Sequence, residues 1–86
     1  MQPDEALETV RGFAAANRIR LSRHARQRME ERCATYDDVR EALMSATSCL
    51  PEPDDRWLVI GGCDLAAEPL ALVVVIEAGV VVVTMF

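Results

Sequence analysis

From Leu70 to Phe86 the chain reads LALVVVIEAGVVVVTMF, two valine-rich runs separated only by Glu77, Ala78 and Gly79. No other stretch leaves so few choices of fold. β-branched side chains are stiff at χ1 and suit a pleated sheet better than a helix. LALVVVIE is apolar on both faces, the pattern of a central strand. Ala78 and Gly79 then link it to VVVVTMF as a hairpin with glycine at a positive-φ position. The whole run is too short for a membrane span and is interrupted by Glu77 and Gly79, so no membrane association is expected. Upstream, RWLVIGGC from Arg56 to Cys63 reads as a third strand, with Gly61 and Gly62 marking a bulge or a close backbone approach.

The N-terminal half has a helical period instead. Pro3 suits a first turn and is followed by Asp4 and Glu5, where the helix dipole favours acids. Leu7, Val10, Phe13 and Ala14 give that helix an apolar face up to about Asn17. Arg18 to Leu21 alternates polar and apolar, as a short strand or extended connector does. Ser22 is placed to cap a second helix running from Arg23 to Cys33, which contains no Gly or Pro. Thr35 and Asp38 form a capping-box-like start to a third helix, with Val39, Ala42, Leu43 and Ala46 on its buried face and an end near Thr47. Pro51 and Pro53 with three acids make Cys49 to Asp55 a turn.

The order is helix, short strand, two helices, three strands. This predicts one α+β domain spanning residues 1–86, with the N-terminal helices packed on one face of a small antiparallel sheet. A strand apolar on both sides leaves one apolar face bare. A partner protein, or a second copy in a homodimer, would cover it.

The 51% hydrophobic content supports a core, and the net charge of −5 with a pI near 4.7 argues against general nucleic-acid binding. The distribution of charge points elsewhere. All nine basic residues are arginine, and seven fall between Arg11 and Arg32, opposed there only by Glu30 and Glu31. One basic patch on an acidic protein matches a specific anionic ligand. Aromatic residues make up only 5% of the chain, which argues against a base-stacking platform and favours Trp57 as a core or interface anchor. Cys33, Cys49 and Cys63 are widely spaced with no CxxC pair, and read as reduced core residues of a cytoplasmic protein. Together with His24 they have the ligand count of a zinc site but match no zinc spacing, so no metal or other cofactor is expected.

His24, the only histidine, shares a stripe with Arg28 and Arg32 at four-residue spacing, flanking an apolar stripe of Ala25, Met29 and Cys33. The stripe is therefore expected at the seam between core and solvent. Histidine exchanges protons near neutral pH, and guanidinium forks bind paired phosphate oxygens. On a phosphodiester, His24 could take or give a proton while Arg28 and Arg32 stabilise charge on the phosphorus oxygens. RNA brings its own nucleophile, the 2′-hydroxyl, so this chemistry needs no metal. Arg20, Arg23 and Arg26 would extend the substrate-binding surface. The same residues also fit a plainer arrangement, with Arg28 or Arg32 paired to Asp37 or Asp38 and His24 bound to a backbone carbonyl.

The run IRLSRHARQRMEER from Ile19 to Arg32, followed by Tyr36-Asp37-Asp38-Val39, Ala42-Leu43 and a tail with Val83-Thr84, resembles the bacterial domain-of-unknown-function 4258 family. The shared elements are a His-Ala to Arg-Met helix ending in a further arginine, an Asp-Asp-Val helix start and a strand-rich ending. The resemblance covers Ile19 to Phe86. It implies a fold similar to the RelE and BrnT toxins of type II toxin–antitoxin systems, a cognate antitoxin as partner, and RNA cleavage with His24, Arg28 and Arg32 at the polar motif positions. Three features depart from the family pattern. Cys33 stands where a small turn residue, often Gly, follows the motif helix. Phe86 replaces a hydroxyl-bearing aromatic at the tail, and the chain is acidic where RNA-cleaving toxins tend to be basic. The acidic balance and the missing tail hydroxyl equally suit a non-catalytic interaction module with the same fold.

Overall fold

The computed structural model describes residues 1–86. Its elements are α1 (Pro3–Ala15), β1 (Ile19–Leu21), α2 (Arg23–Arg32), α3 (Tyr36–Ser45), β2 (Ser48–Glu52), β3 (Arg56–Ile60), β4 (Leu72–Ile76) and β5 (Val80–Met85). The five strands form one sheet in the order β1-β5-β4-β3-β2.

The fold is α+β as expected, but the sheet is mixed. β2, β3, β4 and β5 pair antiparallel in turn, while β1 lies parallel to β5, with Ile19 opposite Val80 and Leu21 opposite Val82. Local pattern could identify β1 but not its direction, because α2, α3 and three strands separate it from its partner. β2 is the second correction. Ser48–Glu52 is a strand where Pro51 and the acids pointed to a turn, and only Pro53 to Asp55 turn the chain. Pro51 is tolerated because β2 is an edge strand, bonded on one side only.

One face of the sheet carries the core. Ala6, Val10 and Ala14 from α1, Ala25 from α2, and Val39, Ala42 and Leu43 from α3 cluster with Ile19, Cys49, Val59, Leu72, Val74, Val80, Val82 and Met85. A bulge in β5 makes this possible. Val74 pairs with Val82 and Val73 with Thr84, so Val83 is the extra residue. The insertion reverses the in–out alternation and turns Met85 into the core, where it is fully buried. Gly62 explains the paired glycines. A Cβ there would lie 2.0 Å from the Ala42 carbonyl oxygen, so the loop after β3 can pass against α3 only without a side chain. Gly79 has φ +146° in the β4–β5 turn, as the hairpin required.

Two helices close each other's ends. The Arg40 guanidinium on α3 donates from Nε to the Ala14 carbonyl at 2.9 Å and from Nη2 to Ala15 at 3.1 Å, the last carbonyls of α1. Arg11 on α1 donates in return to the carbonyl of Ala46, the residue that ends α3. Neither helix has a basic residue in its own last turn, so each borrows its cationic cap from the other.

Of the three cysteines, only Cys49 is buried. Cys63 is half-buried and Cys33 is exposed, and all three are free thiols. Burial pushes the Cys49 thiol pKa up, with Arg11 pulling partly the other way, so this thiol stays protonated.

Candidate functional site

α2 is set by its ends. Ser22 caps it, accepting the Ala25 N–H at 3.0 Å through Oγ, as the sequence predicted. At the other end Cys33 adopts φ +55°, ψ +36°, a left-handed conformation that glycine tolerates far better. Between them Ala25 is fully buried and Met29 packs against the core, so the helix lies on the β1–β5 end of the sheet with its remaining faces turned to solvent.

The stripe of His24, Arg28 and Arg32 exists, spaced by one turn, or roughly 6 Å of axial rise per step. It does not sit uniformly at the seam. His24 and Arg32 are exposed, and only Arg28 is half-buried. Cys33 is exposed too, so the apolar stripe that was to anchor the helix stops at Met29. With ten residues and two apolar anchors, α2 rests on the sheet without sinking into it.

Arg28 is held at both ends of its guanidinium. Nε donates to the Met85 carbonyl at 3.2 Å, and Nη1 lies 3.4 Å from Glu31 Oε2 in the only ion pair of the structure. The Met85 contact has a structural origin. β1 stops at Leu21, opposite Val82, so β5 beyond that point has no neighbour on this side. Ser22 Oγ donates to the Val83 carbonyl at 2.8 Å, and Arg28 takes the next free carbonyl. Part of Arg28's donor capacity therefore seals a sheet edge and part faces Glu31, leaving Nη2 without a partner in the chain. Arg32 and His24 make no hydrogen bond or ion pair, and neither Asp37 nor Asp38 reaches the stripe.

Asp38 is occupied elsewhere. Its carboxylate accepts the Thr35 N–H at 2.9 Å and the Leu65 N–H at 3.1 Å, tying the start of α3 to the loop before β4. The Thr35 bond, and after it the Leu65 bond, hold its pKa below the ordinary carboxylate value.

Arg20, Arg23 and Arg26 do not form one surface with the stripe. Arg23 and Arg26 are exposed on α2, but Arg20 lies in β1 between the inward-facing Ile19 and Leu21, which puts it on the opposite face of the sheet. That face bears no helix. It consists of Leu50, Leu58, Ile60, Val75 and Val81 around a buried Val73, with Arg20, Arg56 and Glu52 toward its margins. Leu50 is 45% exposed. The bare apolar face expected from the valine runs is therefore present. Arg56 and Glu52 were not singled out from the sequence. Only the strand register brings them beside these valines.

The one cleft, of about 350 Å³, lies at the far end of the molecule between Met1, Pro51, Glu52, Asp55, Arg56, Trp57 and Ile76. Trp57 is half-buried against the core there, an anchor as expected. No cleft adjoins α2, and no three His, Cys, Asp or Glu side chains converge as metal ligands. No helix is long and apolar enough to cross a membrane. Comparison of the chain with family models, curated proteins and solved structures found no match to any of them.

Proposed function

We propose that the chain is a RelE/BrnT-like toxin-type domain that cleaves RNA through the α2 stripe, without a metal, and is held in check by a cognate antitoxin. The observation that carries this reading is the state of the stripe. His24 and Arg32 are exposed and unpartnered on either side of an Arg28 already fixed in place by Met85 and Glu31. A phosphodiester lying along α2 would meet the guanidinium groups of Arg28 and Arg32 at its non-bridging oxygens. His24 would take the 2′-hydroxyl proton as that oxygen bonds to phosphorus. It would return a proton to the 5′-oxygen as the P–O5′ bond breaks, leaving a 2′,3′-cyclic phosphate. Arg23 and Arg26, exposed on the same helix, would bind neighbouring phosphates.

A second reading is a non-catalytic interaction module. Two observations favour it: no cleft adjoins the stripe to exclude water, and no helix covers the second face of the sheet, where Leu50 is 45% exposed. Induction of the native chain alone in a bacterial culture, beside His24→Ala, separates the two. Under the ribonuclease reading the native chain arrests growth and His24→Ala relieves it, with RNA cleavage reduced roughly 100-fold or more. Normal growth with both chains and no cleavage of RNA by the purified protein would leave the interaction module.

A further inference from the structure

The open face of the sheet carries a charge pattern that identifies its cover. The pairing register aligns one residue from each strand in a row across the sheet: Glu52 in β2, Arg56 in β3, Val75 in β4, Val81 in β5 and Arg20 in β1. Alternation along β1, β3 and β4 puts these side chains on the helix-free face, since Ile19, Trp57 and Val74 beside them face the core. The row is apolar at Val75 and Val81, with Glu52 and its cross-strand neighbour Arg56 on one side and Arg20 at the other end. Each end lies two strands from β4. Neither Glu52 nor Arg20 has an ion-pair partner within the chain.

A surface of this kind is complementary to itself. A two-fold axis parallel to β4, lying between two sheets packed face to face, sets β2 of one copy against β1 of the other and β4 against β4. Glu52 then meets Arg20 of the second copy at one end, and Arg20 meets Glu52 at the other. Val75 meets its own counterpart on the axis, and on either side of it Arg56 of one copy lies over Val81 of the other, its apolar stem against the valine. We propose that the open face is the interface of a homodimer formed by sheet-on-sheet packing, closed at both ends by Glu52–Arg20 pairs between copies.

The size of the face sets the strength of the dimer. Five strands at about 4.8 Å and five residues at about 3.4 Å give roughly 400 Å² a copy. A standard stable interface uses about 800 Å² a side. The dimer is therefore reversible and dissociates on dilution.

Sedimentation equilibrium of the full chain over a wide concentration range tests this, with circular dichroism to check that each variant is folded. The native chain is expected to pass from monomer to dimer as concentration rises. Val75→Arg places two guanidinium groups against each other on the axis and is expected to abolish the dimer. Arg20→Glu and Glu52→Arg each create like-charge contacts at both ends and are expected to weaken the dimer at least about tenfold. Arg20→Glu with Glu52→Arg restores the pairs with reversed sign, and dimerisation is expected to recover relative to Glu52→Arg alone. A chain that stays monomeric throughout would overturn the proposal, and so would a dimer indifferent to Arg20→Glu or a double variant no better than Glu52→Arg. The charge variants remain decisive even if Val75→Arg does not fold.

Discussion

Val74 and Val75 are neighbours in β4, yet Val74 is fully buried beneath the helices while Val75 lies on the face that no helix reaches. The same contrast runs across the sheet. On the inner side Leu72, Val74, Val80, Val82 and Met85 pack against α1, α2 and α3, and on the outer side Leu50, Leu58, Val75 and Val81 have only one another. Composition is nearly the same on the two faces, so hydrophobicity alone does not decide which one is core. The helices decide it, and they can occupy only one face. The apolar residues left on the other are available to a partner.

The largest difference should appear when each face loses a comparable side chain. Leu72→Ala, beneath the helices and fully buried, removes methyl groups from a packed interior and should cost about 2–5 kcal/mol in urea unfolding. Leu50→Ala removes a side chain that is already 45% exposed and should cost less than about 1 kcal/mol in the monomer. Equal losses would mean that the outer face is packed in solution as tightly as the inner one.

Arginines divide in the same way. Arg11 and Arg40 are bound to helix-end carbonyls, whereas Arg23, Arg26 and Arg32 are exposed on α2 and make no hydrogen bond or ion pair. Arg40→Ala leaves the last carbonyls of α1 without their charged donor and should lower stability by about 1–2 kcal/mol. Arg26→Ala should stay within about 0.5 kcal/mol. If Arg26→Ala nevertheless reduces RNA cleavage, the loss belongs to the site and not to the fold.

This division was only partly legible in the sequence. Ser22 and Thr35 announced their helices because capping is a local matter, settled within three or four residues. The bare face was legible because LVVV is apolar at every position and cannot be satisfied by one layer of helices. The roles of Arg11 and Arg40 were not, since each bonds a carbonyl 25 or more residues away. Nor could Arg20 be separated from Arg23 and Arg26. The three are close in sequence, and only the entry of β1 into the sheet beside β5, with Ile19 and Leu21 turned inward, puts Arg20 on the opposite side. The β5 bulge is invisible within VVVV, where a shift by one residue exchanges one valine for another.

Asp38 adds a pH dependence to the helical side. Its folded pKa is depressed, so its contribution is complete above the unfolded value of roughly 3.9 and is lost as pH falls through the lower folded value. Asp38→Asn should therefore be less stable than the native chain at neutral pH, with the gap closing as the solution is acidified below about pH 4. Urea midpoints measured across that range check the sign. A gap that widened in acid would mean that the Thr35 and Leu65 bonds do not favour the ionised carboxylate.

Cys33 carries the smallest effect and tests the end of the candidate site directly. Its left-handed backbone costs a non-glycine residue about 1–2 kcal/mol, part of which glycine returns as conformational entropy in the unfolded chain. Its side chain is exposed, so little packing is lost when it is removed. Cys33→Gly should therefore gain about 0.5–1 kcal/mol, while Cys33→Ala, which keeps a Cβ in the same conformation, should gain nothing. The pair isolates backbone strain from thiol chemistry. The strain also bears on the stripe, because Arg32 is the last residue of α2 and its position depends on how the helix stops. If Cys33→Gly stabilises the fold and leaves RNA cleavage unchanged, the turn after α2 is only a terminus. If it stabilises the fold but lowers cleavage, the role proposed for Arg32 depends on the strained turn at Cys33.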